Sequence, residues 1–275
     1  MTALGRTASA LACIAALGAA PPVAYGPVPA GNAQTVIVQR YVDALRGGDY
    51  ARAFALLTDD LRRYYGDVAA FHSVFAADGY ALEKAAIVGA RGDDRGRVYF
   101  VRESLAYVDH ATDKQRRLTA IVPLGVLREH GVLHVKDPGK PYRAFASSSS
   151  ADASELHVTV KKVDFYPDRI DVVVTFANAG DNYVTLLPYG RSVLRDDRGG
   201  VYRILATKDW TITDRRLFEG IPLPPGAEYT GSMAFSAPRF GDVKRSWTLT
   251  LAPSLREGTD APFDVTIPIE PQGSN

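Results

Sequence analysis

The chain has 275 residues, of which 46% are hydrophobic and 23% charged, and this composition excludes a disordered or fibrous protein. The formal net charge is +1, made up of +1 from Arg6 in residues 1–33, a net +3 over residues 34–145 and a net −3 over residues 146–275. Neither excess is large enough for a phosphate-binding surface, so we expect no nucleic-acid partner. The only cysteine is Cys13, which leaves the rest of the chain without a disulfide, a thiol nucleophile or a cysteine metal site.

Residues 1–33 have the pattern of a signal peptide. Arg6 precedes a short apolar run over residues 7–20, and small residues lead to Gln34, where we expect the mature chain to begin. The run is shorter than the ~20 residues of a membrane span, although a retained anchor is the alternative. We therefore expect an exported protein, periplasmic or extracellular, without a membrane span in the mature chain.

Residues 34–145 begin with helical periodicity and continue with strands. Apolar residues at three- and four-residue steps predict a helix that ends at Gly47, a second helix capped by Asp49 and a third opened by Asp67. Turn-forming residues then separate four predicted strands. These strands cover residues 81–90, 97–108, 118–127 and 132–136. The pattern predicts helices on one face of an antiparallel sheet.

Two segments carry a family resemblance. Residues 41–54, with Gly47-Gly48-Asp49 between two helices, resemble the opening of nuclear-transport-factor-2-like domains, and the hairpin over residues 126–135 resembles their closing strands. The resemblance implies an α+β cone, in which three helices pack on a curved antiparallel sheet that surrounds a pocket. Some domains of this kind are isomerases or cyclases.

Five residues are candidates to line that pocket: Tyr65, His72, Tyr99, Glu103 and Tyr107. His72 shares the apolar face of the third helix, where a histidine is either a core residue or a catalytic base. A carboxyl group in an apolar pocket beside a tyrosine is how ketosteroid-isomerase-like members work. Glu103 could instead face solvent. We assign no catalytic residue, cofactor or metal ligand.

Residues 146–154 are rich in serine and predict a flexible linker. Residues 155–271 then alternate with a period of two, and turn residues divide them into seven or eight short strands, which predicts a β-sandwich. The segments 172–180, 193–202 and 223–226 resemble those of bacterial extracytoplasmic immunoglobulin-like domains of unknown function. The resemblance implies an all-β immunoglobulin-like sandwich.

The second domain offers a candidate partner surface. Its members are Trp210, Arg215, Arg216 and Phe218, because aromatic and arginine side chains are enriched at interfaces. The acidic turn at Asp196 and Asp197 could bind calcium, but the flanking arginines favour a solvated hairpin.

Together these features favour an exported, non-catalytic binding or scaffolding protein of the cell envelope. Its expected partner is another envelope protein or a small apolar ligand. The alternative is a small-molecule-binding protein or isomerase-type enzyme that uses the pocket of the first domain.

Overall fold

The structure is a computed structural model. It describes residues 26–76, 81–109, 112–187, 192–208, 220–237, 240, 246–256 and 262–270. The described residues form two compact units. The first contains the chain up to Tyr142 together with Phe240, and the second begins at Arg143 and contains the remainder. In the described residues, no helix is both long and apolar enough to cross a bilayer.

The described part of the first unit begins with four helices, α1 (Ala33–Arg46), α2 (Tyr50–Ala55), α3 (Asp59–Tyr65) and α4 (Val68–Ala76). The side chain of Asn32 accepts a hydrogen bond from the Gln34 amide and caps α1, which ends at Gly47. The side chain of Asp49 accepts from Arg52 and caps α2. The predicted ends of these two helices are confirmed.

A four-stranded antiparallel sheet follows, with its strands in sequence order. The strands are β1 (Ala81–Asp93), β2 (Gly96–Asp109), β3 (Lys114–Glu129) and β4 (Val132–Lys136). One face of the sheet packs against the helices in a core that includes Val38, Leu57, Phe71, Val101 and Val135. Each predicted strand of this unit is confirmed, and the first three are longer than predicted.

The prediction of an α+β cone with three helices is wrong. Strands account for 57% of the described residues and helices for 17%, and the helices are four in number and short. The unpredicted helix is α3. Only Leu61 is buried in it, so it has no apolar stripe, and acidic residues in its first turn and arginines in its last turn favour it through the helix dipole.

The second unit contains the strands β5 (Arg143–Ala146), β6 (Ser150–Ala153), β7 (Leu156–Phe165), β8 (Arg169–Asn178), β9 (Val184–Leu186), β10 (Val193–Asp196), β11 (Val201–Lys208), β12 (Ile221–Leu223), β13 (Glu228–Ser236), β14 (Trp247–Arg256) and β15 (Pro262–Ile269). All the pairings between them are antiparallel.

Strand β11 joins two layers of this unit. Residues 201–203 pair with β10, and residues from Ile204 onward pair with β13, with an irregularity in that pairing between Ile204 and Ala206. The layers face each other, because Phe165 of β7 and Trp247 of β14 lie with their ring centroids 5.5 Å apart and both are buried. This contact between two layers is compatible with a β-sandwich. Its immunoglobulin-like relationship stays a prediction.

The serine-rich segment is not a free linker in the structure. Residues 150–153 form β6 and pair with β7, and the Ser147 amide donates to the Lys161 carbonyl at 3.0 Å. The small residues leave the backbone free to pair, so strand hydrogen bonds replace the apolar contacts that the sequence lacks. The segment belongs to the second unit.

The residues just before Gln34 are also part of the fold. Gly26 and Ala90 exchange two backbone hydrogen bonds of 3.1 Å, and the Thr35 hydroxyl donates to the Pro29 carbonyl at 3.0 Å. Cleavage next to Gln34 would remove these contacts and the Asn32 cap. The described fold therefore includes residues 26–33, and the start of the mature chain at Gln34 stays a prediction.

Candidate functional site: a buried cluster of acids and tyrosines

Four polar side chains from different elements meet inside the first unit. Tyr41 comes from the buried face of α1, Tyr65 from the last turn of α3, Glu103 from the centre of β2 and Asp137 from the residue after β4. Tyr41 is 2% exposed, Asp137 6% and Glu103 8%. We call these residues the acid–tyrosine cluster. Two carboxyl groups this deeply buried in one region are unusual, because ionised groups are costly to remove from water.

Protein groups hold Asp137 at both carboxylate oxygens. The Gly139 amide donates to Oδ1 at 2.9 Å and the Tyr65 hydroxyl donates to Oδ2 at 3.0 Å. Gly139 is required here, because a Cβ at that position would lie 2.5 Å from the Tyr65 hydroxyl. Burial raises the pKa of Asp137, although both of these hydrogen bonds lower it. Asp137 is therefore a fixed part of the site.

An ion pair lies beside the cluster. Lys136, which is fully buried, pairs with Asp60 of α3. The chain is aligned for this contact by two backbone hydrogen bonds, from Thr58 to the Val135 carbonyl at 3.0 Å and from Val135 to the Leu56 carbonyl at 2.8 Å. Burial lowers the pKa of Lys136, although Asp60 raises it. Burial raises the pKa of Asp60, but the contacts with Lys136 outweigh it and lower the pKa overall.

Glu103 has no such partner. It forms no hydrogen bond or ion pair with any residue that the structure describes. Ala85 and Ala120 stand opposite it on the two neighbouring strands, and neither side chain carries a polar group. Burial raises the pKa of Glu103 to about 7, and the nearby charge of Asp137 contributes. At neutral pH this carboxyl group can therefore donate or accept a hydrogen bond.

The two tyrosines supply neutral donors. Burial raises the pKa of both hydroxyls, and the charge of Asp137 raises them further. The charge of Glu103 adds to the effect on the pKa of Tyr41. The cluster thus combines one anchored acid, one unpartnered acid and two hydroxyl groups that stay protonated at any physiological pH.

The structure brings together only two of the five residues predicted to line a pocket. Tyr65 and Glu103 both interact with Asp137. Tyr99 lies on the same face of β2 as Glu103, but about 13 Å further along the strand, and its hydroxyl lies 3.0 Å from Thr35 Oγ1. Tyr107 lies about as far from Glu103 in the other direction and is half-buried.

His72 does not enter the site. It is exposed on α4 and stacks on Tyr50 with a centroid distance of 4.2 Å. The expectation that it lies on the apolar face of its helix is wrong. Phe71 is the fully buried residue of this helix, and its ring packs against Tyr65 at 5.0 Å. Of the predicted apolar face, Phe71 and Phe75 join the core, whereas Val68 and His72 are exposed.

Two predictions concern the second unit. The candidate partner surface of Trp210, Arg215, Arg216 and Phe218 lies outside the described residues. At the acidic turn, the Asp196 carboxylate accepts hydrogen bonds from the Tyr202 hydroxyl at 2.6 Å and the Gly200 amide at 2.7 Å. These bonds hold the Asp196 side chain within the hairpin turn.

Sequence reasoning missed Tyr41, Asp60, Lys136 and Asp137. Tyr41 has the spacing of an ordinary apolar position in α1. Asp137 carries a weak signal, because Asp-Pro-Gly directly after a buried strand predicts a turn in which an aspartate caps backbone amides. No pattern in the sequence relates it to Glu103, which is 34 residues earlier.

Comparisons with known proteins do not identify a family. No protein-family model and no curated protein matches the chain. Among solved structures, the yjhA protein from Bacillus subtilis is 23% identical, covering 37% of this chain and 76% of that chain with a TM-score of 0.28. A conserved hypothetical protein from Bacillus anthracis is 13% identical, covering 44% of this chain and 95% of that chain with a TM-score of 0.29. TM-scores this low carry no argument for a shared fold or function.

Proposed function

We propose that the protein is an exported binding protein whose first unit binds a small polar molecule at Glu103. The observation that carries the proposal is the carboxyl group of Glu103, which is buried and has no hydrogen-bond partner among the described residues. Its oxygens are not among the completely enclosed side-chain atoms that lack a partner, so they keep some contact with solvent. A bound molecule that hydrogen-bonds to Glu103 would therefore gain a hydrogen bond in surroundings from which most water is excluded.

The neighbouring residues support a ligand of a particular kind. Asp137 and Tyr65 are already hydrogen-bonded to each other, so they form a fixed boundary of the site rather than a group that is free to hydrogen-bond to a ligand. Tyr41 adds a buried hydroxyl whose pKa the charges of both acids raise. A few polar groups in an otherwise apolar surrounding are typical of small-molecule sites. The polar ligand proposed here replaces the apolar ligand expected from the sequence, because an apolar molecule would leave Glu103 unpaired.

Export and the envelope location rest on the sequence pattern around Arg6. A second partner, another envelope protein, is also part of this proposal. Its candidate surface around Trp210 lies outside the described residues, so the first unit is the part of the protein where a binding experiment can be designed.

A proton-transfer enzyme is the second candidate. The pKa of Glu103, raised by burial to about 7, is the value at which a general base works best near neutral pH. The binding-protein and enzyme proposals differ in what happens to the bound molecule: an enzyme would change it chemically, whereas a binding protein would release it unchanged. Recovering the bound molecule by mass spectrometry after incubation separates them.

Ligand-observed NMR with a mixture of small alcohols, amines and carboxylates tests the proposal. We expect at least one class to bind the full-length protein and to lose binding in Glu103→Gln, which keeps the size of the side chain. Glu83→Gln is the matched control, because Glu83 lies on the neighbouring strand and pairs with Arg117 at the surface. Binding that survives in Glu103→Gln, or no binding in any class, would overturn the proposal.

A further inference from the structure

We infer that the molecule bound at Glu103 carries a protonated amine, which hydrogen-bonds to the Glu103 carboxylate while the neighbouring charge of Asp137 adds electrostatic attraction. This inference rests on the proposed function and adds the chemical class of the ligand. Glu103 and Asp137 interact electrostatically within the unit, and both are more than nine-tenths buried. Two acids in this position make the site attractive to a cation and repulsive to an anion.

The protein does not supply that cation itself. Lys136, which directly precedes Asp137, forms an ion pair with Asp60. Lys140 acts on that same ion pair. The helices contribute only Tyr41 and Tyr65 to the cluster, which stay neutral, and the strands on either side of Glu103 contribute alanines. Among the described residues, Glu103 therefore lacks a positive partner.

An ammonium group fits the available hydrogen bonds. It has three donors, and a carboxylate accepts charge-assisted hydrogen bonds more strongly than neutral ones. A metal ion is a poorer fit, because the described residues contain no group of three acidic, histidine or cysteine ligands. When the ammonium binds to the protonated form of Glu103, the carboxyl proton is released to solvent and the amine keeps its own proton, so charge and atoms balance.

The proton release makes the inference measurable. Between pH 6 and pH 8 the Glu103 carboxyl group passes from mostly protonated to mostly ionised, since its pKa is about 7. A primary amine stays protonated over this range. We therefore expect a cation that needs ionised Glu103 to bind about tenfold more tightly at pH 8 than at pH 6.

The test uses propylammonium, 1-propanol and propionate, which are similar in size and differ in charge. Isothermal titration of the full-length protein at pH 6 and pH 8 should show binding of propylammonium only, tighter at pH 8, with loss in Glu103→Gln and no change in Glu83→Gln. Tyr65→Phe is a second variant that keeps Glu103 and removes a donor to Asp137. Loss of this hydrogen bond raises the pKa of Asp137, so propylammonium should bind more weakly to Tyr65→Phe, but still more tightly at pH 8 than at pH 6.

The outcomes separate the two claims. If 1-propanol binds through Glu103 and propylammonium does not, the amine is wrong and the proposed function stands. If propylammonium binds equally at both pH values, or equally in Glu103→Gln, Glu103 is not its partner and the inference is overturned. If no probe binds, both the inference and the proposed function lose their support.

Discussion

Glu103 and Lys136 are both buried ionisable residues, but only Lys136 has a partner of opposite charge. Lys136 is fully buried and forms an ion pair with Asp60, which compensates its charge and gives the pair a structural role. Glu103 is buried without a partner of opposite charge, and burial raises its pKa. A group that shifts its pKa rather than finding a partner is a better candidate for function than one that is paired.

The raised pKa of Glu103 predicts how stability depends on pH. The folded state holds its proton up to about pH 7, whereas an unfolded glutamate loses it near 4.5. The folded state therefore binds more protons between these values, and its contribution to stability falls as the pH rises through this window. From pH 4.5 to 7, wild type should lose at most about 3 kcal/mol relative to Glu103→Gln, measured by urea unfolding. Equal pH profiles for the two proteins would contradict the burial of this carboxyl group.

The ion pair of Lys136 predicts a second effect. Asp60→Asn leaves a buried ammonium group without its partner and should lower the free energy of unfolding by about 3–5 kcal/mol. Asp43→Asn is the control, because Asp43 pairs with Arg46 on the exposed surface of α1 and should cost less than about 0.5 kcal/mol. Similar losses in the two variants, measured by urea unfolding, would show that Lys136 reaches solvent.

Among the helices and strands, hydrophobic periodicity predicted the elements in which the buried residues recur with that same period. The predicted strand over residues 132–136 coincides with β4, and the residues between 81 and 90 lie in β1. Helix α3 and strands β5 and β6 were missed, because few of their residues are buried and pairing or charge stabilises them instead. A short apolar pattern also fails to predict which residues of a helix are buried when tertiary contacts determine it. Helix α4 buries Phe71 and exposes the neighbouring His72.

The candidate site shows the same limit. Tyr65 precedes the predicted third helix, and Glu103 alternates with Tyr99 and Tyr107 on a predicted strand, so the sequence could indicate both as pocket candidates. Tyr41 and Asp137 do not stand out in this way, because their importance comes from contacts between elements that are far apart in the chain. Long-range packing, rather than local propensity, assembles the acid–tyrosine cluster.

The paired serine-rich segment predicts slow hydrogen exchange. The Ser147 amide donates to Lys161 and the Val160 amide donates to the Ser149 carbonyl at 2.8 Å. Exchange at both amides should be slowed by at least about a hundredfold relative to an unstructured peptide, because their hydrogen bonds break only when the paired strands separate. Unprotected amides at Ser147 and Val160, measured by NMR, would restore the interpretation of this segment as a flexible linker.

At the scale of the whole molecule, the first unit is not one continuous stretch of chain. Phe240 is 4% exposed within it and packs with Val98 and Phe100 on the face of the sheet opposite the helices. Its ring lies 4.9 Å from that of Tyr142 in an edge-on contact. Gly125 provides the space, because a Cβ at that position would collide with the Phe240 ring.

Phe240 therefore predicts a dependence of the first unit on a distant residue. Phe240→Ala should lower the free energy of unfolding of that unit by about 3–5 kcal/mol, the usual cost of truncating a buried phenylalanine. Tyr64→Ala is the control, since Tyr64 is 42% exposed. Urea unfolding followed by NMR signals of the first unit measures both changes. An effect of Phe240→Ala no larger than that of the control would mean that the unit is complete without this residue.

The central claim is that Glu103 is a buried acid without a protein partner and is available to a cationic ligand. A ¹³C NMR titration of its side-chain carboxyl group, assigned by the loss of the signal in Glu103→Gln, tests this most directly. We predict a pKa of about 7 in the free protein, and a lower pKa in the presence of propylammonium because the bound cation favours the ionised form. A pKa near 4.5 in the free protein, or a pKa of about 7 that propylammonium leaves unchanged, would contradict the claim.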